Sequence, residues 1–118
     1  MSKSNFRNLK VWELARVLAR DIYTETQNFP KAEMFGLTQQ MRRAAISVLS
    51  NIAEGQGRTT DADGRRFAVI ARGSLLEIEA QLVIAADLHY LPIDRAEHLI
   101  EQSIEVTKKI NALIRSYG

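Results

Sequence analysis

The sequence contains no cysteine among its 118 residues, which excludes disulfide bonds, thiolate zinc sites and a cysteine nucleophile. No apolar run approaches the ~18 residues that a membrane-spanning helix requires. The N-terminal residues show no apolar segment typical of a secretory signal. Only two prolines and six glycines occur, and they do not interrupt a strand pattern. These absences predict a soluble, cytoplasmic protein with few breaks in its secondary structure.

The composition that remains is typical of one globular domain, which we place at residues 1–118. Hydrophobic residues make up 46% of the chain and charged residues 25%, which argues against disorder. The net charge of +2 is unevenly distributed, since residues 1–76 carry +5 and residues 77–118 carry −3. Arginine is the main basic residue, and its planar side chain suits phosphate and carboxylate. A polyanionic partner is therefore compatible with the charge, although a solvated surface also accounts for it.

Apolar residues repeat at helical spacing in four long segments, and no alternating strand pattern is present. Short connections between four helices predict an all-α fold, an antiparallel up-and-down four-helix bundle. The expected helices cover residues 9–27, 38–54, 61–88 and 94–117.

Capping residues at the expected helix ends support this division. Asp94 followed three residues later by Glu97 resembles a capping box at the start of helix 4. The other expected caps are Thr38 or a residue just before it at the start of helix 2, Gly55 and Gly57 after it, and one of Thr59, Thr60 and Asp61 before helix 3.

Helices 2 and 3 differ from the other two because their apolar residues extend beyond the single face that a helix of one bundle can bury in the core. On helix 3, Val69, Leu76 and Val83 lie roughly opposite the core-facing residues. A second apolar face usually marks a partner surface, and a second copy of the chain is the simplest partner. The residues expected at an oligomer interface are Ile46, Leu49, Ala53, Val69, Leu76, Ala80 and Val83.

Residues that could support catalysis are few, so we expect no enzyme activity, no catalytic residues, no cofactor and no metal site. His89 and His98 flank the connection between helices 3 and 4 but lack the Glu-x-x-His and His-Glu-x-x-His patterns of metal sites. Surface histidines beside a turn are the preferred interpretation. Gly73 and Ser74 lack the setting of a nucleophile elbow; we expect Gly73 to permit close helix packing and Ser74 to bond its own helix backbone.

Two polar features leave alternatives open. The glycines and hydroxyls at residues 55–60 precede helix 3 and could receive an anion, but ordinary capping is favoured. On helix 2, small and polar side chains follow helical spacing, and we favour a register-setting network over a ligand site. In that network we expect Asn51 and Glu54 to bond across a helix contact. The polar positions are Gln40, Arg43, Ser47, Ser50, Asn51 and Glu54.

The middle of the chain is rich in arginine, and these arginines are the candidate nucleic-acid contacts. No aromatic residues are interleaved with them in a way that suggests base stacking. They are therefore expected to contact phosphates, in RNA or DNA, without reading sequence. The candidate residues are Arg42, Arg43, Arg58, Arg65, Arg66 and Arg72.

Three segments also carry a family resemblance: NFRNLKVWELA at 5–15, FGLTQQMRRAAISVLSNIAEGQGR at 35–58 and GSLLEIEAQL at 73–82. They resemble the bacterial four-helix-bundle family known from intervening sequences in large-subunit ribosomal RNA genes. That family is related to the accessory variability protein of diversity-generating retroelements. The RRAA…SNIAEG segment is the most specific part, although Leu49 stands where family members often have proline, which suggests a straighter helix 2.

The resemblance implies an antiparallel four-helix bundle that commonly forms a homopentamer and has no known enzyme activity. In the retroelement relatives it implies basic surfaces that bind nucleic acid and a reverse transcriptase. We therefore expect a non-catalytic homo-oligomer, a pentamer, that binds nucleic acid as an accessory protein. The alternative is a protein–protein interaction scaffold with no nucleic-acid role.

Overall fold

The computed structural model describes residues 6–118 as four helices and two short 3-10 turns. Asn5, the first residue of one quoted motif, and the start of the expected domain lie outside the described residues. The prediction of an all-α, antiparallel up-and-down four-helix bundle is confirmed. The helices are α1 (Lys10–Thr26), α2 (Leu37–Gln56), α3 (Asp61–Asp87) and α4 (Ile93–Ser116).

The four helices pack around the core in chain order. Consecutive helices pack against each other, α4 returns to α1, and the diagonal pairs α1/α3 and α2/α4 make no direct backbone contact. The described part of the chain measures 44 × 23 × 22 Å. This arrangement leaves each helix with one face toward the core and one toward solvent.

The core is formed by the apolar stripe of each helix, as the periodicity predicted. On α3, Leu75, Ile78 and Leu82 are fully buried, and burial of each such side chain stabilises the fold by about 2 kcal/mol. Ser103 of α4 is also fully buried, and its hydroxyl donates to the carbonyl of Leu75 at 3.4 Å. The hydroxyl therefore has a partner in an otherwise apolar layer.

The capping prediction is confirmed for α3 and wrong for α4, and at α2 the cap lies just before Thr38, as one of the two expectations allowed. Thr60 caps α3, because its Oγ1 accepts from the backbone N–H of Asp63 at 3.2 Å. Thr38 lies inside α2, whose N-cap is Gly36. Asp94 is the second residue of α4, which Pro92 precedes as N-cap without a side-chain cap.

Gly55 lies within α2 rather than at its end, and it allows α2 and α3 to approach closely. A Cβ atom added at Gly55 would lie 2.9 Å from the carbonyl oxygen of Gly64 in α3. One added at Gly64 would overlap the ring of Tyr117. The Tyr117 hydroxyl also accepts from the Gln56 side-chain amide at 2.6 Å. The two glycines therefore form a notch that holds Tyr117, while Gly57 is the C-cap.

The opposite end of the bundle is held by the carboxylate of Glu33. One oxygen accepts from the backbone N–H of Leu37 at 3.0 Å, and the other accepts from the Tyr90 hydroxyl at 2.9 Å. These two hydrogen bonds, led by the backbone one, lower the pKa of Glu33 below its ordinary value of 4.5. The same carboxylate raises the pKa of Tyr90 above 10.0. Glu33 thus ties the start of α2 to the α3–α4 connection.

None of the described helices combines the length and the apolar character that crossing a membrane requires.

Replacing Gly64 by alanine is expected to destabilise the bundle by about 1–3 kcal/mol, because the new methyl group must displace the Tyr117 ring. Thermal and urea unfolding followed by circular dichroism measure this loss. Gly57→Ala is the matched control, since its Cβ would only make an ordinary contact of 3.6 Å. An equal loss of stability in the two variants would contradict the role assigned to the notch.

The Glu33–Tyr90 contact predicts a pH dependence at both ends of the scale. The pKa of Glu33 is lowered, so its contribution is full above pH 4.5 and is lost as the pH falls through the lowered pKa. The pKa of Tyr90 is raised, so its contribution is full below pH 10.0 and is lost as the pH rises through the raised pKa. The measurement is the unfolding midpoint as a function of pH. In Tyr90→Phe, the decrease of the midpoint at alkaline pH that Tyr90 causes should disappear, and the decrease at acid pH that Glu33 causes should become smaller. Unchanged pH profiles would contradict the assignment.

Candidate assembly and nucleic-acid surfaces

The outer face of α3 is apolar along most of its length, and we call it the α3 stripe. The prediction that Val69, Leu76 and Val83 lie away from the core is confirmed, since they are 41%, 59% and 49% exposed. Gly73 lies on the same face, and a Cβ added there would meet nothing within 4 Å. Gly73 therefore makes no close helix contact within the described chain, and close packing of Gly73 against a partner stays a prediction. The α3 stripe consists of Val69, Ile70, Gly73, Leu76, Ala80, Val83 and Ile84.

The three interface residues predicted on α2 divide between inside and outside. Ile46 is 43% exposed and faces outward. Leu49 and Ala53 are half-buried. Leu49 packs against the core, and its carbonyl accepts from the indole Nε1 of Trp12 at 3.2 Å. Leu49 thus already packs against the core and bonds Trp12 of α1 through its carbonyl. Ile46 is therefore the predicted α2 residue best placed to contact a partner.

Beside Ile46 lies a groove of about 530 Å³, which we call the α2 groove. Two residues of the α1–α2 connection form one wall: Met34 is 53% exposed and Phe35 is 84% exposed. Periodicity did not identify either residue, because both lie outside a long helix. The available signal was an aromatic residue beside Gly36 in a turn, where no core position was expected. The lining includes Tyr23, Met34, Phe35, Arg43, Ile46 and Ser50.

Part of the predicted polar network of α2 joins α2 to α3. The hydroxyls of Ser47 and Ser74 lie 2.9 Å apart, and the Asn51 amide donates to the Ser47 hydroxyl at 3.0 Å. Ser74 also bonds the Ile70 carbonyl of its own helix at 3.4 Å, as predicted. The expectation for Asn51 and Glu54 is wrong in detail, because Asn51 bonds within α2 and Glu54 pairs with Arg58. Asn51 and Glu54 therefore find their partners within one or two turns of their own positions rather than on a neighbouring helix.

The six candidate arginines do not form one patch. Arg42 and Arg43 lie in the first half of α2, whereas Arg58, Arg65 and Arg66 lie around the α2–α3 connection. At a rise of 1.5 Å per residue, these two groups are separated by about 20 Å along the bundle. The candidate arginines are close together in the sequence, but they do not form a single basic surface.

Arg42 is committed to the contact between α1 and α2. Its guanidinium donates to the Thr26 hydroxyl at 2.9 Å and to the Tyr23 carbonyl at 3.2 Å, and it lies 4.6 Å from the centre of the Tyr23 ring. Arg43 is exposed on the next position of α2. Neither arginine forms an ion pair among the described residues. The α2 groove is consequently positive.

Arg65 and Arg72 share one face of α3, as their spacing predicted, and that face meets α4. Arg65 donates to the Tyr117 carbonyl at 3.0 Å, and Arg72 donates to the Asn111 side-chain oxygen at 3.0 Å. Both side chains are half-buried. These contacts hold α3 against α4 and reduce the freedom of both arginines to reach a ligand.

Arg58 and Arg66 are brought together by Phe67. Their guanidinium carbons lie 4.5 and 4.7 Å from the centre of the Phe67 ring, a cation–π arrangement that favours each charge. Glu54 pairs with Arg58 at 2.9 Å and Asp63 approaches Arg66 at 3.9 Å. Such exposed ion pairs are weak, so both arginines remain available to an external anion. We call them the Phe67 arginine pair.

The turn and the histidines show no assembled ligand site. At the turn, the Thr60 hydroxyl already accepts from Asp63, which agrees with ordinary capping. His89 is exposed and adopts a positive φ of 61°, so it ends α3 in the left-handed conformation usual for glycine. His98 is exposed on α4. No cluster of three or more potential metal ligands occurs within residues 6–118.

Comparisons with known proteins agree with this architecture. No curated protein matches the chain. A protein of unknown function from the S23 ribosomal protein family of Bacteroides thetaiotaomicron has a similar structure, with a TM-score of 0.79 and 23% identity. The match covers 88% of this chain and 97% of that protein, which supports the fold. The family model for the 23S rRNA-intervening sequence protein matches residues 7–112. The chain therefore belongs to the 23S rRNA-intervening sequence protein family.

Proposed function

We propose that this protein is a non-catalytic, homo-oligomeric bundle of the cytoplasm that binds nucleic acid by contacting phosphates through arginines. The observation that carries the proposal is the exposed α3 stripe together with the Phe67 arginine pair at one end of the same helix. Self-association would bury the stripe and repeat the arginine pair around the assembly. Repetition would raise the local positive potential far above that of one chain with a net charge of +2.

The apolar area on α3 supports the homo-oligomer, for which a pentamer is the expected form. Its exposed valine, leucine and isoleucine side chains form a continuous strip rather than scattered positions. Exposed apolar strips of this kind usually mark interaction sites. A homo-oligomer needs no second gene product, and one pair of mutually complementary surfaces on the same chain is sufficient to build it.

Among the six candidate arginines, the Phe67 arginine pair suits phosphate binding best. Arg58 and Arg66 retain 39% and 60% of their side-chain exposure, whereas Arg42, Arg65 and Arg72 are half-buried in contacts between helices. Two guanidiniums on one ring present neighbouring donors to a phosphate backbone. Because the Phe67 ring is half-buried and already contacted by both guanidiniums, binding should depend on charge more than on sequence.

The family description refers to intervening sequences of 23S rRNA, which makes structured RNA the first polyanion to test, with duplex DNA beside it. The resemblance to the retroelement accessory protein, and the reverse transcriptase partner that it implies, stay predictions.

The alternative function is a protein–protein interaction scaffold without a nucleic-acid role. The α2 groove favours it, because an 84% exposed phenylalanine beside a concave surface is typical of protein recognition. An intact oligomer that binds no polyanion at low salt would select this alternative.

Removing the Phe67 arginine pair is expected to weaken nucleic-acid binding at least tenfold, since each charged contact is worth about 1.5–3 kcal/mol. The variant is Arg58→Gln/Arg66→Gln, measured by fluorescence anisotropy with labelled structured RNA and duplex DNA. In a salt series, the slope of log K against log salt on duplex DNA should also shrink by about 2 for each copy that contacts the DNA, because each copy loses two phosphate contacts.

The control for this measurement is Lys108→Gln/Lys109→Gln on the exposed face of α4, which changes the net charge by the same amount. It should bind within about twofold of the unaltered protein, because those lysines lie away from the proposed contact. Equal weakening in both double variants would contradict a specific role for the Phe67 arginine pair. Helicity and oligomeric mass are checked for each variant in the same buffer.

A further inference from the structure

The α2 groove and the second half of α3 are opposite in charge. Residues 34–50, which supply most of the groove, contain Arg42 and Arg43 and no acidic residue. Residues 76–88, which carry the C-terminal half of the α3 stripe, contain Glu77, Glu79 and Asp87 and no basic residue. Neither arginine forms an ion pair among the described residues, so no carboxylate of the described chain neutralises the positive charge of the groove.

The two surfaces are also complementary in shape and polarity. The groove is concave and its walls are apolar at Met34, Phe35 and Ile46. The α3 stripe is a convex helix face on which small residues, Gly73 and Ala80, alternate with larger ones. In the C-terminal half of the stripe, Ala80 lies between Leu76 and Val83, and its small side chain lets another surface approach the helix backbone. An apolar helix face flanked by carboxylates is what an apolar, arginine-bearing groove accepts.

From these observations we infer that the α2 groove of one copy receives the C-terminal half of the α3 stripe of a second copy. The contact is heterologous, joining two different surfaces head to tail. This inference rests on the proposed self-association and names the two surfaces that meet in it. Arg43 of one copy then faces the acidic edge of α3 in the next, and Phe35 packs against its apolar residues.

A head-to-tail contact leaves an unused groove on one copy and an unused α3 stripe on the other, so further copies can add in the same way. A contact of α3 with α3 would instead be isologous and would stop at two copies.

Two single variants isolate the two surfaces. Leu76→Glu places a charge on the α3 stripe, and Ile46→Glu places a negative charge in the groove where an acidic partner must enter. Both positions are exposed, so the fold should persist. Each variant alone should be monomeric by light scattering, with unchanged helicity. Ile104→Glu on α4 is the matched control, because Ile104 is 39% exposed and lies outside both surfaces; it should assemble like the unaltered protein.

Mixing the two variants is the decisive measurement. Leu76→Glu retains an intact groove and Ile46→Glu retains an intact α3 stripe, so one of each should combine into a heterodimer that grows no further. A 1:1 complex by native mass spectrometry is the expected result. A mixture that stays monomeric while the unaltered protein assembles would overturn the heterologous contact, as would normal assembly of either single variant.

Failure of this inference is distinguishable from failure of the proposed function. If the unaltered protein forms an oligomer and binds RNA but the mixed variants do not pair, only the assignment of surfaces is wrong. If the unaltered protein is monomeric at high micromolar concentration, both the self-association and the inferred contact are overturned.

Discussion

Each helix of a four-helix bundle can bury one face, and α3 carries apolar side chains on two. Its inner face is saturated, since Leu75, Ile78 and Leu82 are fully buried. The outer face holds residues of the same chemical kind that no part of the described chain covers. This surplus of apolar surface is the constraint on which the proposals rest, because water penalises it until a partner removes it. The partner that we infer is the oppositely charged groove of a second copy.

The end of the bundle that carries the Phe67 arginine pair is shaped by a close approach of two backbones. Gly55 and Gly64 permit α2 and α3 to meet where Tyr117 of the C-terminal turn enters between them. Phe67 lies one turn beyond Gly64, and its ring carries both guanidiniums. A larger residue at either glycine would separate the helices at this end and with them Arg58 and Arg66. Packing at the notch therefore determines the geometry of the candidate phosphate contact.

Arginine in this protein serves two physical roles that composition alone does not separate. Arg42, Arg65 and Arg72 use their fixed donor geometry to join neighbouring helices through carbonyl, hydroxyl and amide oxygens. Arg43, Arg58 and Arg66 stay more exposed and keep their charge at the surface. The first set stabilises the bundle whatever its ligand. The second set, together with the acidic second half of α3, generates the electric field that a partner meets.

The helical periodicity of the sequence determined the number of helices, their approximate limits and the two-faced character of α3, because burial depends on spacing along one helix. It did not determine the cap of α4 or the role of Gly55. Asp94 has the capping pattern, but Pro92 stands at the N-cap of α4. The role of Gly55 depends on Tyr117, which comes from the far end of the chain. The α2 groove and the division of the arginines were likewise decided only by the tertiary structure. The hydrogen-bond partners of Arg65 and Arg72 lie far away in the sequence, at Tyr117 and Asn111. The α2 groove depends on how Tyr23 of α1, the α1–α2 connection and α2 meet. No local sequence pattern encodes these distances.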